Sequence, residues 1–404
     1  MLITFTKEMI TENSVYSENN IARSSKFNIE VDYGLSQGSY IYDNNSRKKY
    51  LDFFGMYASL PLGYNHQIFK TKDFIEEYLR TSSFKVNNCE FVSKETLEFD
   101  RQFRQFCGMG TFKFFHYTCT GALAVESAIK TCIDYKKAKE VNVLSFNNSF
   151  HGINSYGCFV TSRFPGADKR LNGFPEFFST KVNFDIMEVE KALKTQDITC
   201  VLVEPIQCSA GDFHHDKKKF HELRRLCDVY NVPLIFDEIQ IGFGSTGKIW
   251  YFQHVGITPD IVIFGKKTQL SGIMAIDKMG EIFKKNNSVR LEVTWDGDVS
   301  DMIRCKYIIK AYKKYNILKN VNNTSDILMS GLKNIKGLKN IRGCGLIVGF
   351  DLTNTNQRDI IVNNMYSNGM ICNPTGDRSI RLRPNLNVQP REVQEAIDII
   401  KKSI

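Results

Sequence analysis

The sequence predicts an α/β fold, with a large domain built on a mainly parallel sheet flanked by helices and a smaller α+β domain. Two observations support this prediction. The middle of the 404-residue chain alternates short apolar runs with helix-length segments, as parallel sheets covered by helices do. The two ends instead combine a hairpin pattern with helices and short strands, which is typical of an α+β unit built from N- and C-terminal segments.

Four apolar runs predict strands that are covered on both faces. They are rich in Val, Ile, Leu and Phe and lack the alternation of a strand with one face in water. The runs are residues 141–146, 200–203, 233–236 and 260–264. Between them, segments 122–137 and 220–230 place apolar residues three and four positions apart, which predicts amphipathic helices.

The ends of the chain predict the smaller domain. Residues 39–53 have the pattern of a hairpin that turns at 43–46. Further predicted elements are helices at 301–314 and 390–402 and strands at 345–351 and 379–383. We predict an N-terminal segment 1–60 that joins the small domain, a large domain 61–295, and a C-terminal small domain 296–404.

Charge and cysteine content narrow the class of protein. Lys plus Arg is 53 and Asp plus Glu is 44, and the net +9 is scattered in short pairs. This favours a solvated surface and no nucleic-acid role, with a basic groove for an acidic partner as the alternative. The eleven cysteines include no C-x-x-C pair, so we expect no metal and a reducing, cytoplasmic setting. We expect neither a membrane span nor a secretory signal, because the chain lacks the long apolar stretches that these need.

An acid and a lysine follow two of the predicted strands. Asp237 comes directly after one apolar run and Lys266 shortly after the next, where ligands bind in open α/β sheets. A desolvated lysine loses its proton more easily and can form a Schiff base, while a buried acid can keep a pyridine nitrogen protonated. This pair is the minimum that a pyridoxal phosphate enzyme needs. The alternative is that Asp237 caps a turn and Lys266 is a surface lysine.

Residues 118–122 predict a place for a phosphate group. Small residues precede a predicted helix there, so backbone N–H groups can approach an anion at the helix N-terminus. Simple N-capping by Thr120 explains the same residues and stays open as the alternative.

Together these segments resemble the class III aminotransferases, pyridoxal phosphate enzymes of fold type I, and most of all their L-lysine 6-aminotransferase branch. The similarity runs in order from about Gly38 over nearly the whole chain. The matching segments are residues 120–130, 150–152, 204–207, 236–242 and 259–269, with shorter matches at 294–295, 342–346 and 381–384. The resemblance implies that the large domain binds pyridoxal 5′-phosphate.

The resemblance also implies roles for residues around the cofactor ring. Lys266 is implied as the Schiff-base lysine and as the group that moves the proton, and Asp237 as the partner of the pyridine nitrogen. Gln240 is implied to pair with the ring hydroxyl. Phe150 is implied to stack on the ring, with plain core packing as its alternative.

Other matched residues are implied to hold the phosphate and the rest of the cofactor site. Gly121 and Ala122 are implied to bind the phosphate of their own subunit. Thr294 is implied to reach the phosphate of a second subunit, which makes the expected assembly a homodimer with active sites at the interface. Glu204 and His151 lie in matched cofactor-binding motifs, and we expect His151 to be structural rather than an acid–base group.

Four positions depart from the family's pattern. Ile153 stands where the family has an arginine that grips a substrate carboxylate, and Ser209 where a glutamate pairs with a second arginine, here Arg381. Glu292 replaces an asparagine, and Asp296 replaces a glycine near the cofactor edge. The site is therefore predicted to have lost a cation and gained acids.

These changes predict an altered substrate for a ping-pong transfer of an amino group. Isoleucine makes no bidentate contact with a carboxylate, so the expected donor is an amine without an α-carboxylate or with an extra basic group, such as a diamine. Arg381 implies a 2-oxo acid as acceptor, either 2-oxoglutarate or a small acid such as pyruvate.

Several alternatives stay open. The chain could be an L-lysine 6-transaminase proper that uses 2-oxoglutarate, with a replacement cation supplied by Arg163, Lys169 or Arg170. The same cofactor also supports decarboxylation and other reactions. A noncatalytic binding relative is a third class, although the retained Lys266 and Asp237 argue against it.

Overall fold

The computed structural model describes residues 27–163, 179–284 and 291–404. Its strands are β1 (Tyr40–Asp43), β2 (Lys48–Asp52), β3 (Phe114–Thr118), β4 (Val143–Phe146), β5 (Ser179–Val182), β6 (Cys200–Val203), β7 (Ile206–Gln207), β8 (Phe213–His214), β9 (Leu234–Asp237), β10 (Ile261–Phe264), β11 (Ser271–Ala275), β12 (Lys339–Cys344), β13 (Ile347–Asp351), β14 (Met370–Ile371), β15 (Asn373–Thr375) and β16 (Ser379–Leu382). Its helices are α1 (Gly55–Ala58), α2 (Lys72–Ser82), α3 (Lys94–Phe103), α4 (Gly121–Lys136), α5 (Ser155–Val160), α6 (Ile186–Thr195), α7 (Lys217–Val229), α8 (Phe252–Val255), α9 (Val299–Lys314), α10 (Ile317–Lys333), α11 (Thr355–Ser367) and α12 (Pro390–Ser403).

A mainly parallel sheet of seven strands forms the centre of the fold. Its order is β3-β11-β10-β9-β6-β4-β5, and the five strands from β10 to β5 run parallel. Strand β11 is antiparallel to both of its neighbours, β10 and β3. The four apolar runs of the sequence form β4, β6, β9 and β10, and every residue of these strands is buried. The predicted α/β fold is confirmed.

Alternate residues of the central strands pack into two different apolar layers. Ile235 lies in one cluster with Ala128 and Ile129 of α4. Its neighbours Leu234 and Phe236 lie in the other, larger cluster. Because successive strand residues point to opposite faces, both faces are covered, which explains why the runs are apolar without alternation.

The C-terminal part of the chain forms a second, antiparallel sheet of order β12-β13-β16-β15, against which α10 and α11 pack. The predicted hairpin is present as β1 and β2, and Leu51 of β2 lies opposite Met370 of β14, so N- and C-terminal segments share a sheet. The domain boundaries at residues 60 and 295 stay a prediction. None of the helices in the described ranges combines the length and apolarity needed to cross a membrane.

Candidate active site

The lysine and the acid singled out by the sequence lie at one edge of the central sheet. Strand β9 ends at Asp237, and β10 pairs with it so that Ile263 lies opposite Asp237. The chain leaves β10 through Gly265, where an added Cβ would lie 2.8 Å from Ser271 Oγ. It then turns at Lys266, which has a left-handed φ of 52°. The carboxyl ends of these parallel strands thus bring Lys266 and Asp237 to the same edge.

Burial makes the amine of Lys266 easier to deprotonate. Desolvation lowers the pKa of Lys266 to about 8, and the nearby cation of Arg381 adds to this effect. The carboxylates of Asp237 and Glu204 act in the opposite direction and raise it. A lysine with this pKa provides a substantial fraction of neutral amine near pH 8, the form that attacks an aldehyde.

His151 holds the carboxylate of Asp237. The Nδ1 of His151 lies 2.8 Å from Asp237 Oδ2, and the N–H of Ile239 donates to Asp237 Oδ1 at 3.2 Å. Both side chains are buried, and His151 Nε2 has no hydrogen-bond partner in the described part of the chain. His151 therefore acts on the site by orienting Asp237.

Glu204 joins two loops of the site. Its Oε2 accepts from the N–H of Phe150 at 3.1 Å, and its Oε1 accepts from the N–H of Cys208 at 2.9 Å. Burial raises the pKa of Glu204 to about 7, although His151 acts to lower it. Phe150 is half-buried, so part of it is exposed at this edge of the sheet.

The N-terminus of α4 offers a site for an anion. Gly121 and Ala122 are the first two residues of the helix, where backbone N–H groups have no partner inside the helix. Thr120 also caps the helix, because its Oγ1 accepts from Leu123 N at 3.3 Å. A Cβ on Gly121 would lie 3.1 Å from Ile239 Cδ1, so glycine avoids a tight contact with the segment that follows β9.

These residues fit pyridoxal phosphate. The site combines a desolvated lysine amine, a buried carboxylate in a fixed orientation, and a helix N-terminus that begins with glycine. They match the three groups through which a protein holds this cofactor, which are its aldehyde, its ring nitrogen and its phosphate.

Arg381 presents a buried guanidinium without a carboxylate partner. Arg381 is 8% exposed, and its Nη1 donates to Cys208 O at 3.2 Å and to Gln240 Oε1 at 3.3 Å. Among the described residues no Asp or Glu forms an ion pair with Arg381, whereas the neighbouring Arg383 pairs with Asp212. Gln240, expected at the cofactor's ring hydroxyl, thus accepts a hydrogen bond from Arg381.

Two of the four altered positions, Ile153 and Ser209, lie in the segments that follow β4 and β7. Ile153 is 59% exposed, and Ser209 lies in the short turn after β7. The carbonyl of Ser209 accepts from Arg163 Nε at 3.1 Å, and Arg163 Nη2 lies 2.8 Å from Asp377 Oδ1. Arg163 is therefore next to the Ser209 backbone but already has a carboxylate partner. The other two candidate cations, at positions 169 and 170, fall outside the described residues.

The loop that carries Thr294 packs against the edge strand β3. Thr294 is exposed, and Glu292 is half-buried. Asp296 is buried, and its Oδ2 accepts from the N–H of Val293 at 2.9 Å. Burial raises the pKa of Asp296 to about 6. His116 of β3 lies 3.9 Å from Asp296 Oδ1. Asp296 therefore stabilises its own loop, and a role for Glu292 or Asp296 at the cofactor edge stays a prediction.

Sequence reasoning missed several buried charged groups around the site. Arg383 and Asp212 form a fully buried ion pair, and Glu238 accepts from the N–H groups of Tyr251 and Phe252. Burial raises the pKa of Glu238 to about 8. The sequence could have indicated Arg383. It lies two residues after the candidate Arg381, and residues two apart in a strand share a face.

Comparison with known proteins shows what this chain is similar to. The family model described as aminotransferase class III matches residues 21–404. The L-lysine-epsilon aminotransferase of Mycobacterium tuberculosis is 30% identical over 414 aligned residues, which cover 93% of this chain and 92% of the relative. The 4-aminobutyrate aminotransferase of Dictyostelium discoideum is 29% identical and covers 91% of this chain and 83% of the relative.

Solved structures show the same similarity in three dimensions. A lysine aminotransferase from M. tuberculosis matches with a TM-score of 0.89 and 29% identity, covering 95% of this chain and 96% of that one. The ornithine aminotransferase of Toxoplasma gondii matches with a TM-score of 0.83 at 23% identity, covering 95% and 92%, which supports the fold alone.

Proposed function

Because the chain belongs to the class III aminotransferase family, we propose that it transfers a terminal primary amino group from an amine donor to a 2-oxo acid. It is a pyridoxal phosphate enzyme, and the bound cofactor supplies the electron sink that allows the amino group to be exchanged. The observation that carries the substrate proposal is the cation of Arg381, which lies beside the amine of Lys266 and has no carboxylate partner in the described chain.

Lys266 is the proton carrier in this proposal. Its Nζ holds and moves the proton that leaves the donor carbon, and its lowered pKa of about 8 keeps the amine available for that task. Asp237, oriented by His151, keeps the ring nitrogen of the cofactor protonated. The N–H groups of Gly121 and Ala122 bind the phosphate.

Arg381 is proposed to bind the carboxylate of the acceptor. A guanidinium grips a carboxylate with two parallel hydrogen bonds, and the neutral Ser209 does not compete for it. Other described arginines of this region already have acidic partners: Arg163 pairs with Asp377, Arg342 with Asp351, and Arg383 with Asp212. Of these described arginines, Arg381 alone remains to bind a substrate carboxylate. We therefore expect a small acceptor with one carboxylate, such as pyruvate, to be preferred over 2-oxoglutarate, which has two.

The proposed donor is a diamine or another amine without an α-carboxylate. The exposed Ile153 leaves this side of the site without the charge that would hold such a carboxylate. L-lysine is the second candidate donor, supported by the names of relatives that are 30% identical. Arg163, which contacts the backbone of Ser209, would then supply the missing charge after releasing its exposed partner Asp377.

A half-reaction screen tests the donor. Purified enzyme is mixed with each donor alone, and the absorbance of the cofactor is followed over time. We expect short diamines to convert the cofactor at least about tenfold faster than L-lysine, a preference within the range that a lost polar contact produces. Efficient turnover of L-lysine with no response to diamines would contradict the proposal. Release of carbon dioxide would indicate decarboxylation, and no response to any donor would favour a noncatalytic relative.

We also propose that two copies of this chain form a dimer around the Thr294 loop. That loop packs on segment 84–92, since Asn88 Nδ2 donates to Asp296 O at 3.1 Å. Large apolar side chains are exposed on both segments, namely Phe84, Phe91, Val92, Val293 and Trp295. Clustered exposed apolar groups are typical of a protein–protein interface. Light scattering should give the mass of a dimer, and Trp295→Asp should shift it towards the monomer.

The cytoplasm is the proposed compartment. All eleven cysteines are free thiols, and eight of them are buried. Free thiols in this number are typical of a reducing environment. Localisation of a tagged full-length chain would test this, and accumulation in an oxidising compartment would contradict it.

A further inference from the structure

A turn of left-handed backbone lies against the turn that contains Lys266. Residues 55–58, labelled α1, have φ values of 55°, 50°, 57° and 69°, although three of the four are not glycine. Residues with side chains rarely adopt this conformation, and it persists only where surrounding contacts hold it. Gly55 begins the turn because a Cβ there would lie 2.2 Å from Arg383 O.

Two side chains from the Lys266 turn hold the left-handed turn in place. Lys267 Nζ donates to Ala58 O at 2.7 Å, and Gln269 Nε2 donates to Ser59 O at 2.6 Å. Lys267 is 2% exposed, so this hydrogen bond is shielded from water. Leaving the buried carbonyl of Ala58 without a hydrogen-bond donor is unfavourable, so the contact stabilises the turn.

The buried carboxylate of Asp52 holds the other end of the same turn. Asp52 accepts from the N–H groups of Phe54 and Gly55 at 2.9 Å and 2.8 Å, and from the hydroxyl of Tyr64 at 2.6 Å. Burial lowers the pKa of Lys267 to about 7, although the carboxylate of Asp52 acts to raise it. The left-handed turn is thus held at its start by an acid and at its end by a base.

The same turn lies against the strand end that carries the proposed carboxylate site. Tyr57 is 44% exposed. The N–H of Arg383, two residues after Arg381, donates to Phe53 O at 2.6 Å, directly before the turn. Burial raises the pKa of Tyr57, and the guanidinium of Arg381 opposes this rise. A movement of the turn would therefore change the surroundings of Arg381.

We infer that Lys267 is a positioning residue, whose buried amino group fixes the left-handed turn 55–58 against the Lys266 turn and so holds this turn beside the strand end that carries Arg381 and Arg383. The consequence for substrate binding rests on the proposed function, in which Arg381 binds the acceptor. Without this hydrogen bond the turn relaxes towards right-handed backbone, and acceptor binding weakens.

Hydrogen exchange of the holoenzyme tests whether Lys267 holds the turn 55–58, without measuring activity. The N–H groups of Ser59 and Leu60 close the turn by donating back to residues 55 and 56. In Lys267→Met these amides should exchange about tenfold faster, because the turn opens more often. Equal exchange in Lys267→Met and the wild type would overturn the inference.

Lys306→Met is the matched control, because Lys306 is also fully buried but pairs with Glu77 and Glu98, which lie on α2 and α3. It should leave the exchange of residues 53–60 unchanged. The same acceleration in both variants would show a general loss of stability and would overturn the inference. If Lys267→Met does not fold, Gln269→Leu removes the second hydrogen bond that holds the turn, which runs from Gln269 to Ser59 O. This variant should accelerate exchange of the same amides to a smaller extent.

Steady-state kinetics test the link to Arg381. Lys267→Met should raise the KM of the acceptor about tenfold and change kcat less, since binding rather than chemistry is affected. Lys306→Met should leave the acceptor KM near the wild-type value. An unchanged acceptor KM in Lys267→Met overturns the positioning role. If the wild type aminates no 2-oxo acid, the proposed function fails, and the exchange experiment still decides whether Lys267 holds the turn.

Discussion

The two sides of the site differ in how firmly their charged groups are held. On the cofactor side, the carboxylate of Asp237 is fixed by His151 at 2.8 Å, and burial lowers the pKa of Lys266 to about 8. On the carboxylate side, Ile153 is exposed, and Arg381 contacts only neutral oxygens among the described residues. The groups proposed to transfer the amino group therefore match the family's pattern, whereas on the other side Arg381 is retained but Ile153 and Ser209 depart from it.

Replacement of Lys266 is expected to have the largest effect, on the cofactor side. Lys266→Ala should lower kcat by more than about 10³-fold, because the variant loses both the cofactor anchor and the proton carrier. It should also lose the visible absorbance of cofactor bound to a lysine. Lys248→Ala, at an exposed lysine, is the control and should keep both. Retained absorbance in Lys266→Ala would refute the anchor assignment.

Replacement of Arg381 addresses the carboxylate side. Arg381→Gln should raise the acceptor KM about 10- to 100-fold, the size expected when hydrogen bonds to a charged group are lost. Initial rates measured against acceptor concentration would show this. Donor half-reactions should change much less, because the proposed donor has no α-carboxylate. An equal decrease in the rates of both half-reactions would contradict the assignment of Arg381 to acceptor binding.

The pH dependence of cofactor binding tests whether the cation of Arg381 acts on the amine of Lys266. Cofactor-free enzyme should bind pyridoxal phosphate faster as pH rises through about 8, because Lys266 reacts as the neutral amine and its pKa is lowered to that value. The cation of Arg381 contributes to this lowering, so Arg381→Gln should move the midpoint to higher pH. Stopped-flow absorbance would measure both midpoints. A midpoint that stays in place in Arg381→Gln would show that the two groups do not interact.

Most of the central sheet could be predicted from the sequence, because its strands are covered on both faces. The four apolar runs became β4, β6, β9 and β10, with boundaries within two residues of those predicted. Strands β3 and β11 were not predicted from the same kind of pattern. All but the last residue of β3 are only partly buried, and β11 contains a glycine, so neither has a continuous pattern of large apolar residues.

The strand-end positions of Asp237 and Lys266 could be predicted from the sequence, whereas the contacts around them could not. Asp237 and Lys266 stand at strand ends, which sequence patterns locate. The hydrogen bond from Lys267 to Ala58 joins residues 209 positions apart, and the pairing of His151 with Asp237 spans 86 positions. Contacts of this kind depend on how the folded segments meet, and no local pattern of residue types records them.

Acceptor preference tests the central claim most directly. We expect kcat/KM for pyruvate to exceed that for 2-oxoglutarate in the wild type, because Arg381 can bind one carboxylate and Ile153 cannot bind the second. Ile153→Arg should raise kcat/KM for 2-oxoglutarate about tenfold and leave that for pyruvate nearly unchanged. A wild-type preference for 2-oxoglutarate that Ile153→Arg does not increase would contradict the account.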